Sequence, residues 1–203
     1  MAAGHAPDLG RNAANHVPLS PVGFLRRAAE TWPGKVAVRH GETAFTYAEF
    51  EARCRRLASA LARRGIRRGD TVAILAPNVP AMLEAHYAVP GLGAVLNALN
   101  FRLDARTVAF CLEHGGAKAL IADREFSAVV EEALSLCASP PLVIDIDDPL
   151  GPGGSLRGAI GYEALLAEGD PGFALPGARD EWDSLGLLYT SGTTGNPKGV
   201  VYH

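Results

Sequence analysis

Lysine is scarce in this chain. Only Lys35, Lys118 and Lys198 stand among 19 basic residues, the other sixteen being arginine. The bias reads as a composition effect rather than chemistry, and it singles out each remaining lysine. Cysteine is scarce too. The spacing of Cys54, Cys111 and Cys137 matches no C-x-x-C or zinc pattern, and an odd count fits no complete set of intrachain disulfides. Reduced thiols in a cytoplasmic protein are therefore expected. A basic excess is absent: 19 Lys plus Arg against 22 Asp plus Glu leave a formal net charge of −3. That argues against a polyanion-binding domain, so nucleic acid is not an expected partner. No apolar run approaches the roughly 18 residues that span a bilayer, so no transmembrane segment is expected. The opening Met-Ala-Ala-Gly-His-Ala-Pro has neither the basic start nor the apolar core of a secretory signal. What is present is an ordinary globular balance, 203 residues with 48% hydrophobic and 20% charged.

Residues 1–18 carry no periodicity and read as a flexible leader; 19–203 read as one partial domain. Ser20-Pro21 is a helix start, with Phe24, Leu25, Ala28, Ala29 and Trp32 at helical spacing and Pro33-Gly34 as the stop. Two short strands, 35–39 and 44–46, flank a turn at His40-Gly41-Glu42. Thr46 and Glu49 form a capping box, opening a helix with Phe50, Cys54, Leu57 and Leu61 on one stripe and Gly65 as its left-handed stop.

From Asp70 the rhythm changes. Segments 71–75, 93–96, 118–122 and 142–146 are short apolar runs without alternation, the pattern of strands buried on both faces. Helical stretches lie between them at 79–89 (Asn78 as cap), 104–113 and 125–136. The alternation predicts an α/β fold, a layered parallel sheet with helices on both faces. Segments 147–158 and 168–183 read as surface loops, separated by a short helix at 162–167. A further strand at 185–189 and the start of another at Val200 close the chain.

Several residues invite sharper readings. Seven arginines crowd positions 53–68, and most avoid the apolar stripe, so a solvated face is expected rather than a nucleic-acid patch. His86, in a nearly all-apolar helix, reads as a packed core histidine. Asp145, Asp147 and Asp148 read as a solvated turn without a calcium-loop pattern. Asn97 and Asn100 are expected to fasten loops through their amides. The six histidines show no zinc spacing, so no metal ligand is assigned.

Thr190 to Gly199 carries the chemistry. Gly192, Gly195 and Gly199 let a backbone approach a ligand closely. Thr190, Ser191, Thr193 and Thr194 supply hydroxyls, Lys198 supplies an ammonium, and no acid intervenes. An expected buried strand precedes the segment, so it should emerge at a strand's carboxyl end, where open α/β sheets bind ligands. Exposed N–H groups, hydroxyls and one cation suit a phosphate chain. The segment is not a Walker loop, because Lys198 is followed by glycine and the glycine offsets do not match.

Tyr189-Thr-Ser-Gly-Thr-Thr-Gly-Asn-Pro-Lys-Gly-Val200 resembles the phosphate-binding signature of the AMP-forming adenylate superfamily, which comprises acyl-CoA synthetases, peptide-synthetase adenylation domains and luciferases. Thr46-Tyr-Ala-Glu-Phe50 and Ala94-Val-Leu-Asn-Ala-Leu-Asn-Phe-Arg-Leu103 extend the likeness, the latter toward acyl-CoA synthetases, and it covers the chain from about residue 20. The resemblance implies ATP-dependent activation of a carboxylic acid, with a fatty acid expected, first to an acyl-adenylate and then to a coenzyme A thioester, with ATP, Mg2+ and coenzyme A as cofactors. It assigns Thr190, Ser191, Gly192, Thr193, Thr194, Gly195 and Lys198 to the β- and γ-phosphates. The family's later acidic motif, ribose aspartate and adenylating lysine have no match here. The chain is therefore expected to be an N-terminal part of such a ligase, inactive alone, with apolar surface left uncovered. The alternatives are an amino- or aryl-acid adenylation domain and a nonenzymatic nucleotide-binding or interaction fragment.

Overall fold

A computed structural model describes residues 10–12, 14–190 and 197–203. Most of the expected leader, residues 1–9 and 13, lies outside the described residues. The first helix, α1 (Pro21–Thr31), starts where Ser20 Oγ accepts from the Val22 N–H. Its buried side chains are Val22, Leu25 and Ala29. Phe24 and Trp32, expected on the apolar stripe, are exposed. A hairpin of β1 (Val36–His40) and β2 (Thr43–Thr46) follows, closed by Gly41 at φ 56°. Thr46 and Glu49 make the expected capping box at the start of α2 (Tyr47–Arg63), and Gly65, at φ 86°, follows its end.

The remaining strands are β3 (Thr71–Leu75), β4 (Val95–Ala98), β5 (Ala117–Asp123), β6 (Leu142–Ile146), β7 (Ile160–Gly161), β8 (Gly186–Thr190) and β9 (Lys198–Tyr202). They form one sheet in the order β7-β6-β5-β3-β4-β8-β9, parallel throughout except for the antiparallel β8–β9 pair. The helices are α3 (Pro80–Leu92), α4 (Ala105–His114), α5 (Ser127–Leu136) and α6 (Tyr162–Glu168). Strand alternation feeds two cores. Val72, Ile74, Ile121 and Ile144 face α2, α3 and α6. Ala73, Leu75, Leu120 and Ala122 face α4 and α5. The expected parallel sheet with helices on both faces is what the structure shows.

Several local expectations are corrected. Val79, not Asn78, occupies the cap of α3 and offers no side-chain bond; Pro80 needs no donor at the first helical position, which makes such a cap dispensable. Asp104 caps α4 from outside, accepting from the Thr107 N–H. β4 starts at Val95 because Gly93 is the left-handed stop of α3. His86 is exposed rather than core, its Nδ1 2.8 Å from the Met82 carbonyl. The buried stripe of α3 runs instead through Ala81, Glu84, Ala85 and Ala88.

The arginines are not merely a solvated face. From α2 and the turn after it, Arg55, Arg56, Arg63 and Arg68 donate to the carbonyls of Phe173, Gly169, Glu168 and Gly177. Arg64 and Arg68 pair with Glu168 and Asp183. Their stems cover helix surface while their heads tie down the irregular 168–183 segment. The aspartates are not a solvated turn either. Asp145 and Asp148 are buried. Asp145 accepts from the Gly158 N–H at 2.5 Å, and Asp148 lies 2.9 Å from His40 Nε2, joining β1 to the end of β6. Asn97 is buried within β4 and donates to the Cys111 carbonyl at 3.5 Å, whereas Asn100 closes a local turn by accepting from the Arg102 N–H. All three cysteines are free thiols. Among the described residues, no helix is long and apolar enough to cross a membrane.

Candidate functional site

β8 leaves the irregular 168–185 segment and joins β4 through a single parallel register pair, Leu96 with Gly186. It then pairs with β9 along its whole length, from Gly186↔Tyr202 to Thr190↔Lys198. The last pair matters most. Directly opposed residues project to the same side of an antiparallel ladder. The hairpin therefore sets Thr190 and Lys198 opposite each other on one side of the ladder, both exposed. Of the residues assigned to phosphate binding, Thr190 and Lys198 are brought together in this way. Ser191, Gly192, Thr193, Thr194 and Gly195 lie outside the described residues.

Among the described residues, the ion pairs do not include Lys198, whereas Lys118 is held 2.7 Å from Asp70. Among the described residues no acid lies within ion-pair distance of Lys198. Pro197 and Gly199 flank it. A Cβ on Gly199 would lie 3.0 Å from Leu187 Cδ1, so the cross-strand approach favours the smallest residue.

A second concavity, about 310 Å³, opens between the β1–β2 hairpin and the carboxyl end of β6; Phe45, Arg53, Asp148, Leu150 and Tyr162 are among its walls. Sequence reasoning missed its most unusual member. Glu84 is fully buried; its carboxylate lies 2.5 Å from Arg53 Nε and accepts from the Tyr162 hydroxyl at 2.6 Å. Arg53 also reaches Glu163 at 2.5 Å and lies over the Phe45 ring at 4.6 Å. Burial alone would lower the Arg53 pKa, but the two carboxylates outweigh it and raise it. Burial, then Glu84, pushes the Tyr162 hydroxyl well up. Four of the five N–H donors of Arg53 are engaged by these two carboxylates. The signal that could have found Glu84 is its spacing, three after Ala81 and four before Ala88, on the buried face of α3.

A magnesium ion does not fit the acids described. Asp148 is engaged by His40, Asp147 by Arg124 at 2.6 Å, and Asp123 caps the turn at Glu125. Among the described residues no group of three or more His, Cys, Asp or Glu could hold a metal ion.

The AMP-binding enzyme family matches residues 25–203. An acetate–CoA ligase of Humulus lupulus is 47% identical over 206 residues, covering 96% of this chain and 36% of that protein. A peroxisomal acetate/butyrate–CoA ligase of Arabidopsis thaliana is 48% identical, covering 97% of this chain and 37% of the relative. The chain therefore spans little more than a third of the curated relatives it matches. A crystal structure of an anthranilate CoA ligase in complex with anthranoyl-AMP superposes with a TM-score of 0.83 at 21% identity, covering 94% of this chain and 36% of that one, a likeness of fold. With the glycine-and-hydroxyl loop carried on a hairpin of the parallel sheet and the family match extending over nearly all of the folded residues, the chain belongs to the AMP-binding enzyme family.

Proposed function

We propose that this chain is the polyphosphate-binding part of an ATP-dependent acid–CoA ligase acting on a small monocarboxylic acid. The observation that carries the reading is the register of the β8–β9 hairpin, which pairs Thr190 with Lys198 at the ends of the signature loop. In the proposed reaction a carboxylate oxygen attacks the α-phosphorus of ATP, and the α–β bridging bond breaks to release pyrophosphate. The thiol of coenzyme A then attacks the acyl carbonyl, loses its proton and expels AMP. A carboxylate is a weak nucleophile, so stabilising the leaving group matters. Lys198, the hydroxyls of Thr190, Ser191, Thr193 and Thr194, and the loop around Gly192 and Gly195 would neutralise charge as it gathers on pyrophosphate. Magnesium would enter on the nucleotide's own oxygens, since the described acids do not fit it. The names of the relatives, acetate and acetate/butyrate ligases, support a short acyl group over a long fatty chain. A cytoplasmic location is also proposed, on the three free thiols; the Arabidopsis relative is named peroxisomal, and imaging a tagged chain separates the two.

The direct test is binding of inorganic tripolyphosphate to the purified chain by calorimetry. Lys198→Ala should weaken it at least about tenfold, the worth of one charge-assisted bond. Equal affinity in the variant overturns the role of Lys198. We further propose that these 203 residues do not turn over alone; acetate-dependent ATP–pyrophosphate exchange by the purified chain would refute that part.

A further inference from the structure

Tyr189 stands just before Thr190 and touches two elements, α4 and β9. Its hydroxyl lies 2.9 Å from His114 Nδ1, at the last residue of α4. The two rings meet edge-on at 5.8 Å and 75°. Phe110, one turn earlier on α4, stacks on His114 at 5.1 Å and meets Tyr189 edge-on at 6.2 Å. Across the hairpin Tyr189 is the register partner of Gly199, where an added Cβ would sit 3.5 Å from Tyr189 Cε1. The Tyr189 ring therefore lies between the end of α4 and the strand that carries Lys198.

This placement has a mechanical consequence. Among the described residues, β8 is joined to the parallel part of the sheet by one register pair, at Gly186, the end away from Thr190. Past it, β8 and β9 run as a two-stranded arm, and a two-stranded hairpin is marginal without further packing. An anion grip depends on donors held within about 0.5 Å of productive geometry by supporting contacts. The contact that anchors the arm at its loop end is Tyr189 on His114. Burial, then Cys111, raises the Tyr189 pKa, so the hydroxyl stays protonated, and the tautomer of His114 sets whether it donates to Nδ1 or accepts from it.

We propose that His114 and Tyr189 are a positioning pair, whose hydrogen bond fixes the carboxyl end of β8 and hence the spacing at which Thr190 and Lys198 grip a polyphosphate. The inference rests on the phosphate reading of the loop. Neither residue touches the reacting atoms; both act through the hairpin.

Three variants of the full chain separate this role from simple packing. Tyr189→Phe keeps the ring and loses the hydroxyl. His114→Phe keeps a flat ring on Phe110 and loses the ring nitrogen that bonds the hydroxyl. His114→Gln restores a polar partner able to donate or accept. Tripolyphosphate binding should weaken about threefold in each of the first two, the worth of one ordinary solvent-exposed hydrogen bond. The double variant should lose no more than either single one, because both remove the same bond. His114→Gln should recover most of the affinity, and urea midpoints should stay together. In ligand-free chain, amide exchange at Leu188–Thr190 and Lys198–Val200 should quicken in Tyr189→Phe while β3 and β5 are unchanged. Unchanged affinity and exchange in Tyr189→Phe, or losses that multiply in the double variant, overturn the pairing while leaving the phosphate reading intact. Failure of the unaltered chain to bind tripolyphosphate overturns that reading and the pairing with it.

Discussion

β3 and β9 belong to one sheet and could hardly be more different. All five residues of β3 are buried, between β4 and β5 and beneath helices on both faces; all five of β9 are exposed. Leu188, Val200, Val201 and Tyr202 leave apolar surface in solvent on the β8–β9 arm, as the sequence led us to expect, although β9 is not the buried kind of strand that its valines suggested. The centre of the sheet is where apolar burial stabilises the fold. The arm is where, on the proposed reading, the chain presents donors to a ligand. Elements that bind ligands are commonly drawn from the less stable parts of a fold, and here the two demands fall on opposite sides of the β4–β8 boundary.

The largest effect that would sharpen this contrast is far from the loop. Arg53→Ala leaves the Glu84 carboxylate buried with only the Tyr162 hydroxyl as partner. Stranding one member of a buried pair costs about 3–5 kcal/mol, so the urea midpoint should drop steeply. Combining Arg53→Met with Glu84→Leu should recover most of the loss, because no charge is then left unpaired. A loss well under about 1 kcal/mol for Arg53→Ala alone would mean that water reaches Glu84, against its complete burial.

A smaller, pH-dependent effect probes the opposite flank of the sheet. Burial would raise the Asp148 pKa, but the His40 hydrogen bond and the Leu150 N–H outweigh it and hold the carboxyl below its usual range. A lowered folded-state pKa adds stability above the unfolded value, and that stability is lost as pH falls through the folded one. The ordinary aspartate value is about 3.9, so the loss should be confined to acid, below roughly pH 4. Asp148→Asn should be less stable than the parent at neutral pH and should show a flatter acid limb in urea titrations. An unchanged acid limb would mean that the His40 contact does not form in solution.

What was legible in the sequence follows the same division. Strands buried on both faces announce themselves as short apolar runs, and helix ends announce themselves through Ser20, Thr46 and Gly65, because those signals are local. The signature segment was legible as a mark of the family without any geometry. Three things were not. The partner of Glu84 lies 31 residues earlier on another helix, so a lone acid in an apolar segment carries no mark of being paired. His86 reads as core only if every residue of an apolar helix is taken to face inward, whereas α3 turns one side outward and places Leu83 and His86 there. The arginines of α2 look like solvent-facing charge because the carbonyls they hold belong to an irregular segment more than 100 residues downstream.

The smallest effect tests the arm itself. Val201 is 54% exposed, and its register partner is Leu187. If β9 contributes surface rather than core, Val201→Ala removes methyl groups that already meet water. Exposed substitutions away from caps, pairs and cavities stay within about 0.5 kcal/mol. The urea midpoint should therefore hardly move, and tripolyphosphate affinity should stay at the parent value, since Thr190 and Lys198 keep their register through the backbone. A loss above about 1 kcal/mol would show that the arm is covered in solution, which would place β9 with β3 rather than against it.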